Sequence, residues 1–254
     1  MITKDQIENL SSLFQMDKFT VFREYLQLVF LSYLYQEKGA GKIFFKGGTA
    51  LRLLFGSPRF SEDLDFSTVY SDKEITKLLQ ELEKKIIREL PGLKIVHAYS
   101  GREGIRFRVR FSLSDFKYPL NIRLDFHRVG RIGDKQASTL TTRFPVMIFP
   151  QVFHLPAETI LAEKFAALET RSRGRDIFDV WFLTAVKGIT VFPSTKYNRD
   201  KIIKRIRLFS QTQLNKDLGK FLPKNQKKII PVLKEETIRE LTEPERVGEK
   251  NRGV

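Results

Sequence analysis

An α/β (α+β) fold with a separate helical part toward the C-terminus is predicted by three features of the chain. Two stretches alternate apolar and polar residues as half-buried strands do. In the first, Ile105, Phe107, Val109 and Phe111 oppose Arg106, Arg108 and Arg110; in the second, Ile122, Leu124 and Phe126 oppose Asn121, Arg123, Asp125 and His127. Residues 4–38 and 72–90 carry apolar side chains at three- and four-residue spacing, the period of helices lying on a sheet. Beyond about residue 156 only helical patterns follow.

Taken in order, 4–38 reads as helical. Thr3 or Asp5 can cap its start, and the apolar positions Ile7, Leu10, Leu13 and Phe14, then Phe19, Phe22, Tyr25, Leu26, Val29, Phe30 and Tyr33 recur at three and four. Lys38-Gly39-Ala40-Gly41 ends it. A short apolar strand at 43–45 runs into Gly47-Gly48, then a helix-forming segment at 49–55, then a break at Gly56-Ser57-Pro58. Ser61-Glu62-Asp63-Leu64-Asp65-Phe66-Ser67 follows. As a strand it puts Ser61, Asp63, Asp65 and Ser67 on one face and Leu64 and Phe66 on the other. Two carboxylates then stand side by side at a strand end.

Such a pair suits metal-dependent phosphoryl transfer. Mg²⁺ is commonly held by one or two carboxylates plus substrate phosphates, and two such ions can clamp the attacking and leaving oxygens. A Gly-Gly turn opening a helix adds a phosphate cradle, because glycine lets a ligand approach the backbone and the helix start offers N–H groups. Each piece alone is common in proteins that bind nothing. Their order carries the weight: strand, Gly-Gly-Thr, helix, short break, Ser-x-Asp-x-Asp. That order resembles the first motif of the DNA polymerase β-like nucleotidyltransferases, and GGTALRLLFGSPRFSEDLDF is similar to the AbiEii/MenT-type nucleotidyltransferase toxins. The resemblance implies a polymerase β-like core with a mixed sheet flanked by helices, and a helical C-terminal part. It implies Mg²⁺ or Mn²⁺ on Asp63 and Asp65, with the phosphates of an NTP at Gly47, Gly48, Thr49 and Ser61. In the polymerase β-like arrangement a later strand supplies a third carboxylate, for which Asp125 is the best-placed residue. The other reading of Asp125 is an ion pair with Arg123 or Arg128.

Ser71 with Glu74 three residues on marks a second helix start, and Pro91-Gly92 follows its end near 90. A strand is expected at 93–99. The Arg106, Arg108 and Arg110 stripe is either a solvated sheet face or a surface for RNA or triphosphate. Residues 130–155 are less regular, with one short strand expected at 146–149, and the domain boundary is set at 150.

Residues 156–170 (PAETILAEKFAALET) form a good helix, with Pro at the first turn and acidic residues early. Lys164 falls inside its apolar arc of Ile160, Leu161, Phe165 and Leu168, so it either snorkels out or meets an anion, a carboxylate of the fold or a nucleotide phosphate. Residues 171–183 form a basic turn into another helix carrying Asp176 and Asp179. Asp176 can cap that helix, or join Arg173 and Arg175 in an ion-pair turn. The pattern AEK…R…RDIFD also matches the second region of the AbiEii/MenT family, and by that match Lys164 contacts the triphosphate and Asp176 supports it or the metal. Two more helices are expected between 197 and 241, and 242–254 is read as a disordered tail. The domains expected are thus 1–150, a nucleotidyltransferase core; 151–241, a helical part completing the active site; and the tail.

The chain of 254 residues has no Cys, which excludes disulfides, thiolate zinc sites and thiol catalysis. Its three His are far apart, so a metal here is oxygen-bound. A net charge of +15 favours a polyanionic partner. From Lys201 to Lys228 nine Lys or Arg face one acid, Asp217, a run that is either a solvated face or a hold for an RNA backbone. No leader pattern and no long apolar run is present, so a cytoplasmic protein with no membrane association is expected. The reaction expected is transfer of NMP from an NTP to an RNA, the 3′ end of tRNA by resemblance, with a cognate antitoxin as partner. A small-molecule or protein hydroxyl as acceptor, and a non-catalytic nucleic-acid-binding module, are the alternatives.

Overall fold

The computed structural model describes residues 1–112, 119–171, 173–189 and 197–242, in two compact units, Met1–Pro156 and Ala157–Val254. In the first, helix α1 (Lys4–Phe14) starts from a capping box in which the Gln6 N–H donates to Thr3 and the Thr3 N–H donates back to the Gln6 side chain. The helical stretch expected over 4–38 is made of two helices. Gln15 takes a left-handed conformation (φ 53°), and Asp17 then caps α2 (Lys18–Leu34) by accepting the Thr20 N–H at 2.8 Å. A turn of 3₁₀ helix leads into strand β1 (Ile43–Lys46) and helix α3 (Gly47–Phe55), which includes both glycines.

Strand β2 is Leu64–Thr68, shorter than the 61–67 expected. Ser61, Glu62 and Asp63 lie in the connection ahead of it, where side chains of α2 grip the backbone. Helix α4 (Asp72–Ile86) begins from the Ser71/Glu74 capping box. Strands β3 (Lys94–Gly101), β4 (Gly104–Phe111) and β5 (Leu120–Arg128) follow. The strand expected at 146–149 is absent. Its apolar residues lie between Pro145 and Pro150, and Met147, Ile148 and Phe149 are exposed. Two other short strands, β6 (Gln136–Thr139) and β7 (Gln151–His154), occur instead.

The sheet order is β3-β4-β5-β2-β1-β7-β6. The pairs β2/β5 and β1/β7 are parallel and the others antiparallel, so the sheet is mixed. One face is the core. Phe45, Phe66, Phe126 and Ile105 stand in one register row across four strands, with the Phe66 and Phe126 rings stacked 4.9 Å apart. α2 and α4 pack on this unit's core, α4 through Ile75, Leu79, Leu82 and Ile86, all buried. Each such side chain contributes about 1.5–3 kcal/mol by leaving water. The neighbouring row points to the other face and is charged: Lys46, Asp65, Asp125 and Arg106 in register.

The second unit is helical in its described residues. α5 (Ala157–Thr170) and α6 (Gly174–Trp181) are followed by a π-helical turn over Phe182–Val186. Three helices, not the two expected, come next: α7 (Arg199–Leu208), α8 (Gln211–Leu218) and α9 (Leu233–Thr242), with a 3₁₀ segment at Lys224–Ile229. Ser210 caps α8 through the Gln213 N–H and so divides α8 from α7. A Cβ at Gly174 would lie 3.0 Å from Leu214, so glycine is what lets α6 approach α8. The tail expected at 242–254 lies outside the described residues beyond Thr242. No helix among the described residues is long and apolar enough to cross a membrane.

Candidate active site

The end of β1 and the start of α3 form a cradle whose shape needs both glycines. Gly47 has φ 79°, which other residues rarely adopt, and a Cβ there would collide with the Asp65 carboxylate. A Cβ on Gly48 would collide with the Arg59 guanidinium and lie 3.2 Å from the Ser61 hydroxyl. Asp65, Ser61 and Arg59 therefore crowd the first turn of α3, where backbone N–H groups lack intrahelical acceptors. Thr49 is buried and its hydroxyl donates to the Asp63 carbonyl, so what it offers a phosphate is its backbone N–H.

Asp65 and Asp125 are neighbours on the parallel strands β2 and β5. Arg106, opposite Asp125 on β4, donates to its Oδ1. Arg123, two residues before Asp125 and hence on the same face, bonds the Asp63 carboxylate and brings its Nε to 2.9 Å from Asp125 Oδ2. Arg128 pairs with Asp72 at 3.1 Å. Among the described residues no three His, Asp or Glu side chains are gathered so as to hold a metal ion; here guanidinium groups stand between the carboxylates. The donor chemistry still suits Mg²⁺, which needs only one or two carboxylates when phosphate completes its shell.

The 57–62 connection is positioned by helices α2 and α3. Gln27 donates to the Ser61 carbonyl at 3.1 Å, and Arg23 pairs with Glu62 at 3.3 Å. Arg52 pairs with Glu24 at 2.9 Å, donates to the Ser57 and Pro58 carbonyls, and lies 3.7 Å from the centre of the Phe60 ring. Burial pushes the Glu24 carboxyl up, against the pull of Arg52. With side chains 14% and 5% exposed, removing one partner strands a buried charge. Arg52→Ala is expected to lose about 3–5 kcal/mol in urea unfolding; a loss under ~1 kcal/mol would mean the pair is solvated.

Sequence pattern alone did not single out Arg59, Glu24 and Gln27. Arg59 is only 2% exposed, and its signal is a cation set between Pro58 and Phe60. For Glu24 and Gln27 the signal is two polar residues within the apolar run of α2.

In the second unit, Lys164 meets carboxylates of the fold. Its Nζ lies 3.0 Å from Asp176 Oδ1 and 2.7 Å from Asp179 Oδ2. Arg171 also binds Asp176, at 3.0 and 3.2 Å. Asp176 sits in the first turn of α6 without capping it, and Arg175 stacks 5.0 Å over Phe221. Burial alone would push the Asp176 carboxyl up; Lys164 and Arg171 outweigh it and hold it at about 2.

The family description "Nucleotidyl transferase AbiEii toxin, Type IV TA system" matches residues 29–245. Solved structures share the fold. JHP933 from Helicobacter pylori is 20% identical, with 89% of this chain and 95% of that one covered and a TM-score of 0.53. MenT4, a nucleotidyltransferase toxin from Mycobacterium tuberculosis H37Rv, is 16% identical, with 89% and 85% covered and a TM-score of 0.55. No curated protein matches the sequence.

Proposed function

Since the chain belongs to the AbiEii nucleotidyl transferase toxin family and is thus a nucleotidyltransferase, we propose that it moves NMP from an NTP to an RNA, the 3′ end of tRNA, with Mg²⁺ and release of pyrophosphate. The observation that carries this reading is the Asp65 carboxylate and Ser61 hydroxyl packed against the two glycines that begin α3. Asp63 and Asp65 are the proposed metal ligands, with Asp125 joining them. Gly47, Gly48, Thr49 and Ser61 hold the phosphates. A bound metal would offset phosphate charge and polarise the α-phosphate; the residues around it place the triphosphate for in-line attack. Lys164 and Asp176 are carried over as further active-site residues from the AEK…RDIFD pattern, Lys164 toward the triphosphate.

RNA as acceptor is supported by the second unit's charge. Lys201, Lys204, Arg207, Lys216, Lys220 and Lys224 are all exposed or half-buried at the surface. The one acid of this stretch, Asp217, accepts the Gly174 N–H at 2.7 Å. Reversing the charge of Lys204, Arg205 and Lys227 is expected to raise the KM for RNA and flatten its salt dependence, by about 0.7 in log–log slope for each phosphate no longer neutralised; unchanged kinetics would remove this patch from the RNA path. A cognate antitoxin is the partner the family implies.

The whole reading is tested by incubating the protein with total tRNA, Mg²⁺ and each labelled NTP in turn. Label on RNA that disappears with a chelator is expected. Label on no RNA with any NTP overturns the RNA acceptor, and label on protein or a small molecule identifies the acceptor instead.

A further inference from the structure

We propose that Arg123 is a latch, holding Asp63 and Asp125 together while the site is empty and leaving them when a divalent ion arrives with nucleotide. This deepens the proposed function and rests on its metal reading. β2 and β5 are parallel with Asp65 beside Asp125, and Arg123 on β5 reaches Asp63 in the connection just ahead of β2. Arg123 thus joins two carboxylates, on Asp63 and Asp125, beside the third on Asp65. Without Arg123 the three acids would repel one another across adjacent strands. Lys46 and Arg106 flank the group from β1 and β4, and Arg108 lies opposite Arg123.

A guanidinium and a metal ion compete for the same oxygens. Arg123 engages Asp63 Oδ2 and approaches Asp125 Oδ2, the atoms a metal would need. Its hold is incomplete: the buried Nε has no hydrogen-bond partner among the described residues, although it lies within ion-pair distance of Asp125. Arg123 and Asp63 are also partly exposed, at 36% and 23% of their side chains, so the contact is screened and easily exchanged. A divalent ion entering alone adds charge to a set of carboxylates that Arg123, Arg106 and Lys46 already balance. An ion entering with a triphosphate brings its own counter-charge, and the released guanidinium then has phosphate oxygens to bind, a geometry arginine suits.

The test is a Mn²⁺ titration followed by electron paramagnetic resonance on wild-type protein, Arg123→Gln, Arg123→Lys and Asp65→Asn, with and without a non-hydrolysable NTP. Without nucleotide, Arg123→Gln is expected to bind Mn²⁺ about three- to tenfold more tightly than wild type, the range two screened ion pairs allow. Arg123→Lys, which keeps the charge but cannot bridge two carboxylates, should fall between them. With nucleotide the order should reverse. Equal or weaker Mn²⁺ binding by both variants, with binding still lost in Asp65→Asn, overturns the latch and leaves the metal reading standing. No Mn²⁺ binding by wild type or Arg123→Gln, with or without nucleotide, overturns both.

Discussion

Lys164→Ala is expected to destabilise the second unit by about 3–5 kcal/mol in urea unfolding, the range for removing one partner of a buried ion pair. The lysine side chain is 12% exposed, and the two carboxylates it joins, on Asp176 and Asp179, are 2% and 0% exposed. Arg171 still reaches Asp176 but is half exposed itself, so it replaces little of the buried positive charge. A loss below ~1 kcal/mol would show that the network is not structural. The Asp176 side of the network has a pH signature. Its folded carboxyl sits at about 2, below the ordinary carboxylate value of 3.8. Its stabilisation is therefore present above pH ~4 and lost as pH falls toward 2, and amounts to roughly 2 kcal/mol. The stability gap between wild type and Asp176→Asn should be full at neutral pH and close over that window; a gap independent of pH would mean the aspartate acts by shape alone. If Lys164 also serves the triphosphate, turnover of still-folded Lys164→Ala falls by orders of magnitude at temperatures well below its unfolding.

What can be read from the sequence is what local pattern determines. β4 and β5 are legible because apolar and charged residues alternate without a break, and α4 because Ser71 and Glu74 make a capping box. The division of α1 from α2 is hidden: a glutamine in the left-handed region leaves no glycine to mark it, although Asp17 is a cap in plain view. β7 escapes a pattern reading, and 146–149 resembles a strand, because hydrophobicity alone cannot separate a strand buried beside β1 from an apolar loop between two prolines. In the site, the Gly-Gly turn and the acidic pair are close in sequence and are found together. Lys164 announces its need for an anion by standing in an apolar arc, and the anions prove to be Asp176 and Asp179. The bridging by Arg123 depends on the register of β2 against β5, and the gripping of 57–62 depends on helix α2; neither long-range contact leaves a mark in local sequence.

Asp63→Asn and Asp65→Asn should each remove nucleotidyl transfer, by roughly 10³-fold or more given the several kcal/mol a metal contributes to such a transition state, while barely changing stability. The two effects separate because of where these carboxylates stand. Asparagine keeps the volume that Gly47 leaves for residue 65, so the cradle is not disturbed. The Asp63–Arg123 pair is partly exposed, and its loss is worth about 0–1 kcal/mol. Asp63 also holds Thr49 through its backbone carbonyl, which the substitution leaves in place. Transfer measured beside thermal melting therefore distinguishes metal ligands from structural acids. If the double variant melts like wild type and still labels RNA, the acidic strand is only a charged sheet face. If it melts far lower, the carboxylates serve the fold. Loss of transfer with melting unchanged is the result expected, because Arg123 would lose only a screened partner while, on the proposed metal reading, the reaction would lose oxygens that hold its cation.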